Sequence, residues 1–245
     1  MKLALAYILT VIHYFFFGLL LLIFHLVQVV AYNVFGAEAH KRSVDLLNYF
    51  LLLNFYTIFC RYTFYGIDKL PVNRPLIIVS NHQSMWDAPA IVWSLRKHYV
   101  KFISKKELGK GLPSISYNLR KGGSVLIDRK DREQSITEIS KLGKNIEQHN
   151  YSVCIFAEGT RNKAGKMRPF KPGGIKTLLK NSPSALIVPY VVHDNYKLHT
   201  RGYFPLGIGK HLRFSVLDPI ERADLSDDQL VAQVEQKIKE ALGQG

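Results

Sequence analysis

Cysteine is scarce in this 245-residue chain, with only Cys60 and Cys154, far apart in the sequence. Two such thiols cannot build a disulfide framework or a four-ligand zinc site, and reducing surroundings are the default. No cluster of His, Cys and carboxylate residues occurs at ligand spacing, so neither a metal nor another cofactor is expected. Internal repeats and low-complexity tracts are absent, which argues against solenoids and fibrous architectures. Acidic residues are few: 19 against 33 Lys and Arg, a formal net charge of +14 that favours anionic partners such as phosphates or a membrane surface. A nucleic-acid reading element with stacking aromatics is missing, so nucleic acid is not an expected partner.

The most telling absence is of charge. From Leu3 to Gly36 there is no Asp, Glu, Lys or Arg, and the stretch is dominated by Leu, Ile, Val, Phe and Tyr. A bilayer core needs about 20 apolar residues as helix, and this run exceeds that. A cleaved signal has an apolar region of only about 7–15 residues, so the run reads as a retained anchor although Ala37-Glu38-Ala39 mimics a cleavage pattern. A polar link, Ala37 to Ser43, leads to a second apolar segment, Leu46 to Cys60, too short to span. The expectation is a hairpin of two helices, the first entering the membrane and the second interfacial. Lys2 at one end of the first helix and Lys41 with Arg42 at the other leave spanning and one-leaflet insertion both open. The expected location is a membrane, with the soluble body on its cytoplasmic face.

Only Lys2, Lys41 and Arg42 among the basic residues, and Glu38 and Asp45 among the acidic ones, precede Arg61, so the positive excess lies on the body. A body of that sign is drawn towards anionic headgroups. Within it, short apolar runs at Leu76–Ser80, Val100–Ile103, Val125–Asp128, Val153–Phe156 and Ala185–Val192 alternate with helical patterns. Ile136, Ile139, Leu142 and Ile146 recur at helical spacing between Arg132 and Gln148, and Leu225 to Leu242 forms a terminal amphipathic helix capped near Ser226. Apolar runs separated by helices predict an α/β fold: a mixed, largely parallel sheet flanked by helices, behind an N-terminal two-helix membrane anchor. Residues 1–62 are assigned to the anchor and 63–245 to the α/β body.

Three candidate sites follow predicted strands directly, where open α/β sheets usually handle ligands. The first is Asn81-His82-Gln83-Ser84-Met85-Trp86-Asp87. Positions five apart do not share a helical face, so His82 must lie in a turn before the helix carrying Asp87 if the two pair. A carboxylate on one imidazole nitrogen leaves the other as a general base. Such spacing is weak alone: His40 and Asp45 repeat it on the charged link, where His40 reads as a headgroup-level polar residue. The second site is Gly122-Gly123-Ser124-Val125-Leu126-Ile127-Asp128-Arg129, whose Arg129 can hold a phosphate through paired hydrogen bonds; a solvated strand terminus is the plain alternative. The third is Phe156-Ala157-Glu158-Gly159-Thr160-Arg161, in which Glu158 and Arg161 could instead form a buried structural ion pair. Lys171-Pro172-Gly173-Gly174 adds a helix start able to receive an anion. All three sites should converge on one sheet edge, giving a His base, an orienting carboxylate and cations suited to a phosphorylated molecule.

These blocks, in this order and spacing, resemble the 1-acylglycerol-3-phosphate acyltransferase family. NHxSxxD is matched by Asn81, His82, Ser84 and Asp87. A GxxFIDR-like block is matched by Gly123, Ile127, Asp128 and Arg129, FPEGTRS by Phe156, Glu158, Gly159, Thr160 and Arg161, and a Pro-containing strand by Ile187-Val188-Pro189. The likeness covers roughly Leu70 to Val192. Leu126, Ala157 and Asn162 depart from the family's usual aromatic, proline and serine. The resemblance implies an enzyme transferring a fatty acyl group from acyl-CoA or acyl-carrier protein to the sn-2 hydroxyl of lysophosphatidic acid, giving phosphatidic acid in membrane lipid. It implies His82, Asp87 and Lys105 as catalytic. Asn81, Ser84, Gly123, Asp128, Arg129, Glu158, Gly159, Thr160 and Arg161 would serve the substrate, with Arg129 and Arg161 on its phosphate. The alternatives are an acyltransferase for another lysolipid, or a non-catalytic lipid-binding membrane protein.

Overall fold

The computed structural model describes residues 2–162 and 164–244. Helix α1 runs from Lys2 to Leu53 and is interrupted at Gly36, whose φ of 84° and ψ of −171° lie in a region that glycine alone enters readily. The chain folds back there. Leu21 and Phe24 of the first arm pack on Leu47 and Leu51 of the second, and His13 Nδ1 donates to the Asn54 carbonyl at 3.1 Å. This corrects the expected connection: Ala37 to Ser43 is helical, as its Ala, Glu, Lys and Arg content favours, and no polar loop separates two helices. The second arm ends at Leu53 and continues as a short 3-10 turn, Asn54–Ile58. One face of this segment, with Leu47, Leu51 and Leu52, is buried against the rest of the protein, while Leu46, Phe50 and Tyr56 on the other stay exposed. Among the described residues, one helix is long and apolar enough to cross a membrane. Leu26, Val34 and Phe35 leave its first arm bare. His40, expected at headgroup level, is buried between the rings of Tyr32 and Tyr117.

The body begins with β1 (Arg61–Tyr65) and β2 (Leu76–Ser80), followed by α2 (Asp87–Ser94), β3 (Val100–Lys105), α3 (Ile115–Lys121) and β4 (Val125–Ile127). Next come α4 (Arg132–His149), β5 (Ser152–Phe156), α5 (Pro172–Asn181) and β6 (Leu186–Val192), then β7 (Thr200–Tyr203), β8 (His211–Val216) and α6 (Asp227–Ala241). Seven strands form one mixed sheet in the order β1-β8-β6-β2-β5-β3-β4, parallel except where β6 meets β8.

Strand β2 is buried along its whole length, which is why it reads as an unbroken apolar run. Its residues alternate between two cores. Ile77 and Val79 face α4, α5 and α6, while Leu76 and Ile78 face α2 and the end of α1. Each such fully buried aliphatic side chain contributes roughly 1.5–3 kcal/mol. Helix α4 is capped by Asp131, which accepts from Gln134 N at 2.9 Å. Helix α6 starts with a reciprocal cap between Ser226 and Gln229. The parallel strands β2, β3, β4, β5 and β6 therefore point their carboxyl ends to a common edge. The register pairs Ser80 with both Phe156 and Tyr190, and Lys105 with Ile127.

Candidate active site

His82 lies in the turn between β2 and α2, and Asp87 is the first residue of α2. The His82 Nδ1 to Asp87 Oδ2 distance is 2.8 Å. A carboxylate only accepts, so Nδ1 carries the proton and Nε2 is left with a free lone pair. Asp87 is wholly buried, and its charge is met by three further donors: Gln83 N at 2.7 Å, Ser84 N at 2.9 Å and Asn195 Nδ2 at 2.6 Å. The imidazole also stacks on Phe156, with ring centroids 3.8 Å apart. Its backbone is held from the segment after β5, because His82 N donates to Glu158 Oε1 at 2.7 Å and His82 O accepts from Asn162 N at 2.6 Å. A ring fixed at its tautomer, face and backbone has little freedom of aim.

A cavity of about 390 Å³ opens in front of this histidine. His82, Lys105, Arg129, Thr160 and Arg161 all line it. These five residues come from the ends of β2, β3, β4 and β5, so the sheet edge brings them together. Arg129 is open to solvent on one side but crowded on the other. Burial lowers its pKa, Glu107 opposes that shift, and the nearby Arg161 cation adds to it. Two guanidiniums that repel one another at a cavity wall are set for an anion. Arg161 Nη1 is braced by a 2.9 Å hydrogen bond to Tyr203 Oη. The opposite wall is apolar, built from Met85 and Val92 around α2, Ile115 and Leu119 of α3, and Leu47 and Leu51 of α1. The N-terminal helix thus helps to wall the cavity, where the sequence suggested a tether only.

The other sequence-derived candidates lie behind this surface. Asn81 is buried and exchanges two 2.8 Å hydrogen bonds with the backbone of Val192, fastening β2 to the end of β6. Ser84 Oγ sits 2.7 Å from His199 Nε2. Asp128 Oδ1 accepts from Lys130 N and closes the turn after β4. Glu158 is not paired with Arg161. Its oxygens take the amides of His82 and Arg168, and burial raises its pKa against the pull of those two bonds. Gly159 turns the chain above Lys171, and Gly123 belongs to a different cavity described below. None of these six lines the cavity in front of His82.

The family model described as Acyltransferase matches residues 61–193, more than half of the chain. The chain belongs to this family. The 1-acyl-sn-glycerol-3-phosphate acyltransferase alpha of Mus musculus is 28% identical over 191 residues, covering 78% of this chain and 65% of that protein. The protein of the same name from Ovis aries is 28% identical over 167 residues, covering 68% and 56%. The 1-acyl-sn-glycerol-3-phosphate acyltransferase of Helicobacter pylori strain J99 is 35% identical over 137 residues, covering 51% and 56%. The matches thus span between 56% and 65% of the length of these relatives. Among solved structures, the 1-acyl-sn-glycerophosphate (LPA) acyltransferase PlsC from Thermotoga maritima has the same fold. Its TM-score is 0.80 at 22% identity, over 96% of this chain and 94% of that one.

In this Acyltransferase-family chain the matched stretch holds His82, Asp87, Arg129 and Arg161 but stops short of Asn195 and excludes α1. Sequence reasoning missed both. Asn195 lies just beyond β6, at the same sheet edge as the other candidates, which is the signal that could have found it. The part played by α1 in the cavity is a long-range contact with no local signature.

Proposed function

We propose that this protein is a 1-acyl-sn-glycerol-3-phosphate acyltransferase, transferring a fatty acyl group from acyl-CoA or acyl-carrier protein to the sn-2 hydroxyl of lysophosphatidic acid. The observation that carries the reading is the meeting, in one cavity, of an Asp87-held imidazole, the Arg129 and Arg161 guanidiniums, and a long apolar wall. The guanidiniums take the acceptor phosphate through charge-assisted hydrogen bonds, and the apolar wall takes an acyl chain. His82 Nε2 removes the proton of the acceptor hydroxyl as its oxygen attacks the thioester carbonyl. Asp87 stabilises the imidazolium so formed. The tetrahedral oxyanion is met by Lys105, exposed at the end of β3 on the same cavity. Collapse breaks the carbon–sulfur bond, the ester is released, and the imidazolium returns its proton to the departing thiolate. Every group is then restored and no acyl-enzyme forms.

The apolar outer face of the first arm of α1 holds the body at a bilayer, where acceptor and product reside. The reading is tested by incubating the full chain in membranes with labelled lysophosphatidic acid and, in separate arms, acyl-CoA and acyl-carrier protein thioesters. Labelled phosphatidic acid with either donor supports it. Acylation of other lysolipids to the exclusion of lysophosphatidic acid overturns the acceptor assignment.

A further inference from the structure

A second cavity, of about 460 Å³, lies on the far side of a partition formed by Val44, Val92, Phe102 and Asn118, residues that border both spaces. It sits at the opposite edge of the sheet, where Tyr151 precedes β5 and the Gly122-Gly123-Ser124 turn precedes β4. Its volume falls within the range of small-ligand sites, roughly 300–1,000 Å³. Four cations line it, Lys41, Arg96, Lys101 and Lys121, against two carboxylates, Glu38 and Asp45.

Both carboxylates are already engaged. Asp45 pairs with Lys41 at 2.5 Å, and Glu38 accepts from Tyr99 Oη and Arg42. Among the described residues, Lys101 and Lys121 have no carboxylate within ion-pair distance. Their ammonium groups rest on aromatic faces instead, Lys101 4.7 Å from the Tyr151 ring centre and Lys121 5.3 Å from that of Tyr32. Burial, with repulsion from Lys41, lowers the Lys101 pKa to about 8. Gly123, whose φ of +81° favours glycine, turns the chain directly beside that side chain, with Lys101 Cε 3.4 Å from where a Cβ would stand. The turn residue singled out in the sequence thus serves this cavity.

The net excess of positive charge calls for a dianion, the usual state of a phosphomonoester near neutral pH. The position of the cavity points to its source. Ala37 and Glu38 on its rim come just after the Gly36 reversal that ends the first arm, whose Val34 and Phe35 are 67% and 71% exposed. A pocket at that level stands where headgroups meet a protein whose apolar helix enters the bilayer.

We propose that this cavity is a second phosphate site, separate from the one facing His82, and that it takes the phosphomonoester headgroup of a membrane lipid. The site does not depend on the acylation reading, since its occupancy can be measured with Arg129 and Arg161 already replaced. The test is the molar ratio of bound radiolabelled phosphatidic acid to full-length protein in phosphatidylcholine nanodiscs. The wild type is expected to hold about two equivalents by charge-assisted contact at each cavity. Lys101→Gln with Lys121→Gln leaves one, Arg129→Gln with Arg161→Gln also leaves one, and the fourfold variant leaves none.

Thermal unfolding checks that the variants fold. Where the lysine pair does not, Lys121→Gln alone, at an exposed position, weakens the second equivalent by about tenfold, the loss of one charged hydrogen bond. Inorganic phosphate is titrated in parallel: displacement of the second lipid shows that the site reads the phosphate alone, and failure to displace it shows that the lipid body is also bound. The proposal is overturned if the wild type binds a single equivalent that vanishes in the arginine variant, or if the lysine variants keep both.

Discussion

Asn195 donates its side-chain amide to Oδ1 of Asp87 at 2.6 Å, occupying the carboxylate oxygen that His82 does not use. The asparagine is fully buried, so the bond is shielded from water and fixes the rotation of the carboxylate that in turn fixes the imidazole. Asn195→Ala is expected to lower kcat by about 10- to 100-fold with little change in KM, because it removes a positioning contact and no substrate contact. A structural role alone would lower thermal stability and leave kcat per folded molecule unchanged. Asn195→Asp should be worse than alanine, as it sets a second carboxyl group against Asp87.

On the proposed function, Arg129 and Arg161 at the cavity wall hold the acceptor phosphate. Replacing either by Gln removes a charge-assisted contact worth about 1.5–3 kcal/mol, or roughly 10- to 100-fold in acceptor KM. The donor KM should move far less. Initial rates over a grid of acceptor and thioester concentrations separate the two, and a change confined to the donor refutes the assignment.

Stability should fall on acidification through His98 and His193. Burial lowers both pKa values; Lys97 adds to the shift for His98, and for His193 Arg213 adds while Asp194 opposes. A histidine held neutral in the fold gains its proton on unfolding. Its contribution is therefore fully present above the unfolded value near 6.5 and is lost as pH falls through the depressed folded value. The raised carboxyl of Glu158 works in the opposite sense, stabilising the fold in acid and ceasing to do so as pH rises through its folded value. The net slope between pH 7 and 5 is accordingly best read by difference. His98→Gln and His193→Gln should each flatten the dependence of unfolding free energy on pH relative to the wild type, and an unchanged slope would contradict the burial argument.

The central strands were legible because burial on both faces keeps them almost wholly apolar: LIIVS at Leu76–Ser80 and the run at Leu186–Val192 read as strands without help. The edge strand β1 was not, since RYTFY is exposed at both ends and half-covered between, so its composition carries no clear period. Strand β8 does alternate, with Leu212, Phe214 and Val216 buried and Arg213 exposed between them, but the stretch is short and was not legible as a strand. The link Ala37 to Ser43 misled through polarity. Its residues are good helix formers, and the reversal falls on Gly36, one position earlier. At the site, adjacency in sequence gave away His82 and Asp87, and strand ends gave away Arg129 and Arg161. The family resemblance also assigned Asn81, Ser84 and Glu158 to the substrate; in the structure their polar atoms hydrogen-bond within the protein. Contacts made across long stretches of chain, such as Asn195 to Asp87 or Leu47 to the cavity, have no local signature.

The account rests on His82 as the base, and replacing it is the most direct test. His82→Ala in the full-length, membrane-bound protein should reduce transfer of labelled acyl groups to lysophosphatidic acid by at least about a thousandfold, within the range assigned to positioned proton transfer and nucleophile activation. Labelled lysophosphatidic acid should still bind through Arg129 and Arg161. An alanine variant that folds, binds the acceptor and retains more than a small fraction of wild-type turnover would contradict the account.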